Sequence, residues 1–338
     1  MSPIQTARRL ALGLGAVAVL SACEPTQSGQ VRPIQIDGSS TVYPITEKMV
    51  AQFNAEPEQD VEVSASFSGT GGGFKKFCAG ETDINNASRP ILKNEMEECK
   101  KNEIAYIELP VAFDALTVVV NPQNTWASDL TVAELKKIWE PAAQGKITKW
   151  NQIRPEWPDR PIVLFGPGTD SGTYDYFTEA IVGQSGSSRS DYTASEDDDI
   201  LAKGVSENPN ALGYFGYAYY FENQDKLKAV AIHNSEGSPV MPSPEAVQNA
   251  EYKPLARPLF IYINAGVARD NPLMTDFLDF YIRNSPEIVS SVGYIPFEED
   301  DYTAVYRNFH KTKVGTAFGG EAEFTMSIDE VLKTTTEY

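Results

Sequence analysis

The sequence predicts an α/β fold of two lobes, with mainly parallel sheets and a ligand cleft between the lobes, and three observations carry that prediction. A strand, a polar turn and an apolar helix follow one another three times. About 315 residues remain once an N-terminal leader is set aside, more than one hydrophobic core ordinarily serves. Two apolar runs, Ile107 to Val120 and Leu259 to Ile263, read as the two crossings between lobes. One lobe is then expected from 33–114 plus 260–338 and the other from 115–259.

The leader comes first. Arg8 and Arg9 precede an apolar run from Leu10 to Leu20 that stops at Ser21, Ala22 and Cys23, the pattern of a signal peptide over 1–22. The run is shorter than the roughly 20 apolar residues of a spanning helix. Leu-Ser-Ala-Cys resembles a bacterial lipobox, which makes Cys23 a lipidated N-terminus on a membrane, in the periplasm or at the cell surface. Ordinary cleavage after Ala22 with a free Cys23 is the other reading, and the arginine pair also admits a twin-arginine export route. Residues 23–32, with Pro, Gly, Ser and Gln, read as a tether. Lipid on Cys23 leaves Cys78 and Cys99, 21 positions apart, which suit one disulfide in an oxidising compartment. Two free structural thiols are the alternative.

Removing the leader takes Arg8 and Arg9 and no acid from 28 basic and 47 acidic residues, leaving a formal charge of −21. Nucleic acid is excluded as a partner by that balance. Such a field slows an approaching anion, so any anion site has to rest on local donors.

The three units supply such donors. Pro33 to Asp37 alternates as a strand, Gly38-Ser39-Ser40-Thr41 breaks it, and Val42 to Phe53 has helical apolar spacing. Val61 to Phe67 is a strand, Ser68 to Gly73 a Gly-rich turn, and Phe74 to Cys78 opens a helix. Pro161 to Phe165 is a strand and Gly166 to Ser171 a turn. Gly172 to Val182 is then a helix with Tyr174, Phe177, Ile181 and Val182 on one face. In such folds ligands sit outside the carboxyl ends of the strands, where all three turns lie. A helix N-terminus leaves backbone N–H groups unpaired at a positive dipole end, so three of them facing one cleft can surround a tetrahedral anion. Singly, Ser39, Ser40, Thr70 and Ser171 read equally as helix caps.

At these turns the sequence resembles the periplasmic phosphate-binding proteins of Pst-type ABC transporters, over nearly the whole mature chain. IDGSSTVYPI resembles that family's first anion loop, FSGTGGGFKKF its second and GPGTDSGTYDYF its third; TDINNASRPI resembles the strand lining its cleft. LKKIWEPAAQGKITKWNQI, ALGYFGYAYY and VGYIPF resemble further landmarks. The resemblance implies a type II periplasmic-binding-protein fold with two hinge crossings and capture of inorganic phosphate for an ABC permease. It also implies a set of phosphate contacts: Ser40, Thr41 and the Val42 amide, Thr70, then Ser171, Gly172 and Thr173. Arg89 falls where the best-known branch of the family has an Asp that accepts the phosphate proton, and Pro167 stands where that branch has an Arg. The guanidinium has then moved between lobes, with Arg89 expected as the only one at the anion. Asp170 is the candidate replacement acceptor, or else a turn residue or the partner of Arg89.

Other signals are plainer. Tyr214 to Phe221 reads as core, and Glu196 to Asp199 as a solvated helix start without the spacing of an EF-hand. Trp126, Trp139, Trp150 and Trp157 show no pattern, and there is no internal repeat. Only His233 and His310 exist, neither in a metal-ligand spacing nor beside a candidate nucleophile, so no metal, cofactor or catalytic residue is expected. A monomeric binding protein is expected. Sulfate or molybdate as ligand, and phosphate-ester hydrolysis by Ser171 or Ser40, are the competing readings.

Overall fold

The computed structural model describes residues 31–57, 61–169, 171–195, 197–321, 326–334 and 336. The leader, Cys23, Asp170 and Glu196 lie outside them.

The first unit is β1 (Ile34–Gly38) with α1 (Tyr43–Asn54). Pro44 sits in the first turn of α1, where a missing N–H costs no ladder bond. Ile45, Met49 and Phe53 recur four apart and bury one face. The second unit is β2 (Val63–Ala65) with α2 (Thr70–Cys78). This helix starts four residues before Phe74, because its first turn is the polar Thr-Gly-Gly-Gly run that apolar spacing does not register. β3 (Ile84–Ala87) and α3 (Lys93–Lys101) follow, and the Cys78–Cys99 disulfide ties the end of α2 to α3.

β4 (Tyr106–Val120) is buried at every one of its 15 residues. A strand covered on both faces reads as an unbroken apolar run, which is how the sequence shows it. Next come β5 (Asp129–Leu130), α4 (Val132–Trp139), β6 (Val163–Gly166), α5 (Gly172–Phe177), β7 (Thr193–Ala194) and α6 (Asp198–Glu207). They are followed by β8 (Ala211–Gly216), α7 (Tyr217–Glu222), β9 (Lys228–Ala229), β10 (Ala231–His233), β11 (Pro239–Val240) and α8 (Pro244–Gln248). The chain closes with β12 (Ala256–Asn264), α9 (Ala265–Asp270), α10 (Pro272–Ser291), α11 (Glu299–His310) and α12 (Ile328–Lys333).

The third unit differs from its expectation. α5 ends at Phe177 and one π turn, Thr178–Val182, replaces its continuation. Thr178 Oγ1 donates back to the Tyr174 and Asp175 carbonyls at 2.8 and 3.0 Å and accepts from the Gly186 amide at 2.9 Å, so a side chain competes for the helix's own bonds. The acidic run behaves as read: Asp197 caps α6 by accepting from the Asp199 amide.

Among the described residues the main sheet runs β2-β1-β3-β12-β4-β8-β6-β7, with β9 also on β4. β1 is parallel to β2 and β3, and β6 is parallel to β7 and β8. β12 lies antiparallel between β3 and β4. β4 pairs with β12 over Tyr106 to Ala115 and with β8 over Leu116 to Val120, so one strand serves both lobes. The two apolar runs are therefore neighbouring hinge strands. Pro110 gives the ladder no N–H, and there the register slips: Leu259 faces Ala112, Phe260 faces Pro110, and Val111 is left over. Tyr302 satisfies that extra residue by donating to the Val111 carbonyl at 2.8 Å.

A continuous buried core extends from Ile34 to Leu332 through these strands, and a smaller one under α6 holds Val119, Leu201, Val205 and Phe215. Phe53 of α1 meets Phe277 and Phe280 of α10 edge to face. Three tryptophans that share no sequence pattern also meet: Trp150 contacts both Trp126 and Trp157. Tyr214, Phe215 and Tyr217 are core as expected, while Phe221 is exposed. Among the described residues no helix is long and apolar enough to cross a membrane.

Candidate anion-binding cleft

The first two loops are pressed together by glycine. Gly38 has φ +127°, and a Cβ there would lie 2.2 Å from the Asn86 carbonyl oxygen; one on Gly73 would lie 2.4 Å from the Gly38 Cα. Asp37 then ties the loops. Its carboxylate accepts from the Gly38 amide at 2.6 Å, from Ser68 Oγ at 2.8 Å and from Lys76 Nζ. Burial pushes this carboxyl up, but Lys76, Ser68 and the Gly38 amide outweigh it and hold Asp37 below the ordinary carboxylate range. Ser39 Oγ accepts from the Thr41 and Val42 amides at 3.2 and 3.4 Å. On the second loop Thr70 Oγ1 shares a bond with Ser88 Oγ at 3.0 Å, and no side chain caps α2.

Arg89, just after β3, is already paired. Its Nη1 and Nη2 donate to Glu95 Oε2 and Oε1 at 2.9 and 2.8 Å, and Nη1 also reaches the Pro90 carbonyl at 3.0 Å. The next amide, Ile91, donates to the Tyr262 hydroxyl at 2.9 Å, which donates to buried Glu108 at 2.6 Å. Burial raises the pKa of Glu108. The segment carrying Arg89 is thus pinned at both ends.

The third loop faces the first. Ser171 Oγ caps α5 by accepting from the Thr173 amide at 3.2 Å. A Cβ on Gly172 would sit 3.3 Å from Thr41 Oγ1, so the loops approach each other across the cleft. Beside this contact lies a cleft of ≈ 1230 Å³. Its walls include Ser40, Thr41, Thr70, Ser88 and Arg89 on one side, and Glu179, His233 and Arg257 elsewhere. Of the residues that the sequence singles out, Ser40, Thr41, Thr70 and Arg89 line the wall; Val42 is fully buried behind it. Ser171, Gly172 and Thr173 are not among the residues lining this cleft; they open α5 beside it, with Gly172 against Thr41.

The cleft holds a second guanidinium beside Arg89. Arg257 on β12 faces Asp114 on β4, its register partner, with Nε 3.3 Å from Asp114 Oδ2. Its Nη2 lies 3.4 Å from Thr41 Oγ1 and its Nη1 3.6 Å from Glu179 Oε2. The guanidinium stacks over the Tyr176 ring, 3.6 Å from the centroid. Burial pushes the Asp114 carboxyl up and the neighbouring Arg257 charge opposes it. Tyr294 closes this corner by donating to the Thr41 carbonyl at 2.8 Å.

The chain is similar to known proteins. A family model described as a PBP superfamily domain matches residues 23–285. Protein SphX of Synechocystis is 54% identical over 96% of this chain and 97% of its own length. The phosphate-binding protein PstS of Staphylococcus saprophyticus is 37% identical over 86% of this chain and 89% of its own. The chain belongs to the PstS and SphX family of the PBP superfamily. A solved structure, a possible phosphate binding protein from Planctomyces limnophilus, shares 44% identity at a TM-score of 0.78, covering 83% of this chain and 99% of its own.

The family is one of solute-binding proteins, and its two-lobed type II fold is the one built here. In a PstS-type chain a hinge arginine is hard to find by motif, because Arg257 lies in none of the three loops. The available signal was the charged pair in two apolar runs, Asp114 within Tyr106 to Val120 and Arg257 before Leu259. Charges in buried strands are rare unless paired.

Proposed function

We propose that this chain captures inorganic phosphate in the cleft, outside the cytoplasmic membrane, and hands it to an ABC importer. The observation that carries this reading is the convergence of the Ser39–Thr41 and Gly69–Gly71 segments with Arg89 on one cleft, with Gly172 of the third loop against Thr41. Hydroxyls, helix-terminal amides and a guanidinium are the donor set of a tetrahedral oxyanion. The phosphate contacts are Ser40, Thr41, Val42, Thr70, Arg89, Ser171, Gly172 and Thr173, with the lobes closing on the ligand at the β4 and β12 hinge. Cys23 carries lipid and anchors a monomer to the membrane.

Binding without turnover fits the histidines: His233 is bonded to Asp129 and His310 to Asp279, and among the described residues no hydroxyl of the three loops is bonded to either. Calorimetry with phosphate, arsenate and sulfate on the chain lacking residues 1–23 tests the reading. Saturable binding of phosphate, with arsenate close behind and sulfate much weaker, is expected. Sulfate binding as tight as phosphate would replace phosphate with a general oxyanion as ligand. Mass spectrometry of the exported chain tests the anchor, which an unmodified N-terminal Cys23 rules out.

A further inference from the structure

Arg257 is a charged side chain in a nearly closed place whose three polar contacts are all long. Its side chain is 14% exposed, yet the contacts to Asp114, Thr41 and Glu179 measure 3.3, 3.4 and 3.6 Å. Charge-assisted N–H···O bonds settle at about 2.7–2.9 Å. Arg89 reaches that range with Glu95 through two parallel bonds. Arg257 is instead held in plane by the Tyr176 ring, with its N–H edges turned toward three different elements. Those elements are the first loop, the hinge strand β4, and the π turn that continues α5.

The two carboxylates around it are unlike. The Asp114 side chain is 4% exposed and cannot be rehydrated without opening the hinge, so it stays with the guanidinium. The Glu179 side chain is 59% exposed and leaves the guanidinium at little cost. We propose that Arg257 contacts the bound anion directly, beside Thr41, with Asp114 as the positioning residue that aims its guanidinium. Glu179 is an internal counter-ion that the incoming tetrahedral oxyanion displaces. The inference rests on the phosphate reading of the cleft and adds a hinge residue and a competing carboxylate to it. Because Arg257 touches the first loop, the hinge and the second lobe at once, exchanging Glu179 for a ligand at this point alters how the lobes are held together.

The test is titration of the full mature chain with inorganic phosphate at one ionic strength, comparing the parent with four variants. Arg257→Gln is expected to weaken binding about 30-fold to several thousand-fold, and Arg257→Lys to recover part, since an ammonium lacks the planar fork. Glu179→Gln is expected to bind phosphate about 2- to 5-fold tighter, because a partly screened competitor is removed. Arg257→Gln combined with Asp114→Asn is expected to bind as Arg257→Gln alone does, since Asp114 acts through the arginine; a merely structural Asp114 gives an added loss. The double variant also removes the unpaired buried carboxylate that can stop Arg257→Gln from folding. If the parent binds phosphate and the double variant, melting cooperatively, stays within about 3-fold of it, Arg257 is no ligand contact and the inference alone falls. Unchanged or weaker binding by Glu179→Gln overturns the displacement. A parent that binds no phosphate overturns the reading beneath both.

Discussion

The two sides of the cleft are built from contacts of different range. Around the first two loops, partners are close in the chain: Arg89 and Glu95 are 6 apart, Thr70 and Ser88 18, and Asp37 and Ser68 31. At the hinge they are distant: Asp114 and Arg257 are 143 apart, Thr41 and Arg257 216, and Thr41 and Tyr294 253. Short-range contacts form within one local unit and hold most of its donors, although the segment of Arg89 is also pinned through Ile91 to Tyr262, 171 apart. Long-range contacts exist only once distant segments are assembled, and those of Arg257, which reach Asp114, Thr41 and Glu179, are the ones that can report how the lobes sit, whereas Thr41 and Tyr294 fall on one side.

Removing the local guanidinium should have an effect as large as that expected for Arg257→Gln. Arg89→Ala deletes a charge-assisted donor and leaves Glu95 without its guanidinium partner, and should cost about 2–5 kcal/mol of phosphate binding. Arg89→Lys should recover part. Binding within about 3-fold of the parent for Arg89→Ala would break the comparison, since it would place the whole anion contact on the hinge side.

Next is the disulfide. Replacing Cys78 and Cys99 by Ala should lower unfolding free energy by about 2–4 kcal/mol, read from denaturant curves. The loss belongs to the local side, so phosphate affinity measured well below the transition should change little. An affinity that falls in step with stability would mean that the two sides are one unit.

Asp37→Asn sharpens the same point through pH. Hydrogen bonds to a charged group contribute about 1.5–3 kcal/mol, and Asp37 accepts three of them, of which those from Ser68 and Lys76 tie the first loop to the second unit. Its folded pKa is depressed, so its contribution is full above the unfolded value of about 3.9 and lost as pH falls through the lower folded value. Parent and variant should therefore differ at neutral pH and converge in acid. A difference that persists below pH of about 2 would assign the effect to shape, not charge.

The smallest effect is expected from the Tyr294 hydroxyl. Tyr294→Phe deletes the donor to the Thr41 carbonyl and should cost about 0.5–1.5 kcal/mol of stability. Because Thr41 is also the neighbour of Gly172 and Arg257, phosphate affinity should fall as well. An unchanged affinity would detach this corner from the site.

The sequence by itself determined the three strand–turn–helix units, the hinge strands and the disulfide pair. Polar turns after apolar strands are local patterns, and the pairing expected for Cys78 and Cys99 is the one the structure has. It also marked Ser40, Thr41, Thr70 and Arg89, which the structure brings to one wall. Local pattern misjudged the start of α2 and the run of α5, where glycines and the back-bonding Thr178 decide the helix and apolar spacing is silent. Only the tertiary structure decided that Arg89 is clasped by Glu95, that Trp150 meets Trp126 and Trp157, and that Arg257 stands over Asp114 beside Thr41. The physical reason is register: Asp114 and Arg257 become neighbours through the antiparallel pairing of β4 with β12, and a one-residue slip, of the kind the Pro110 bulge introduces, turns every side chain beyond it to the other face.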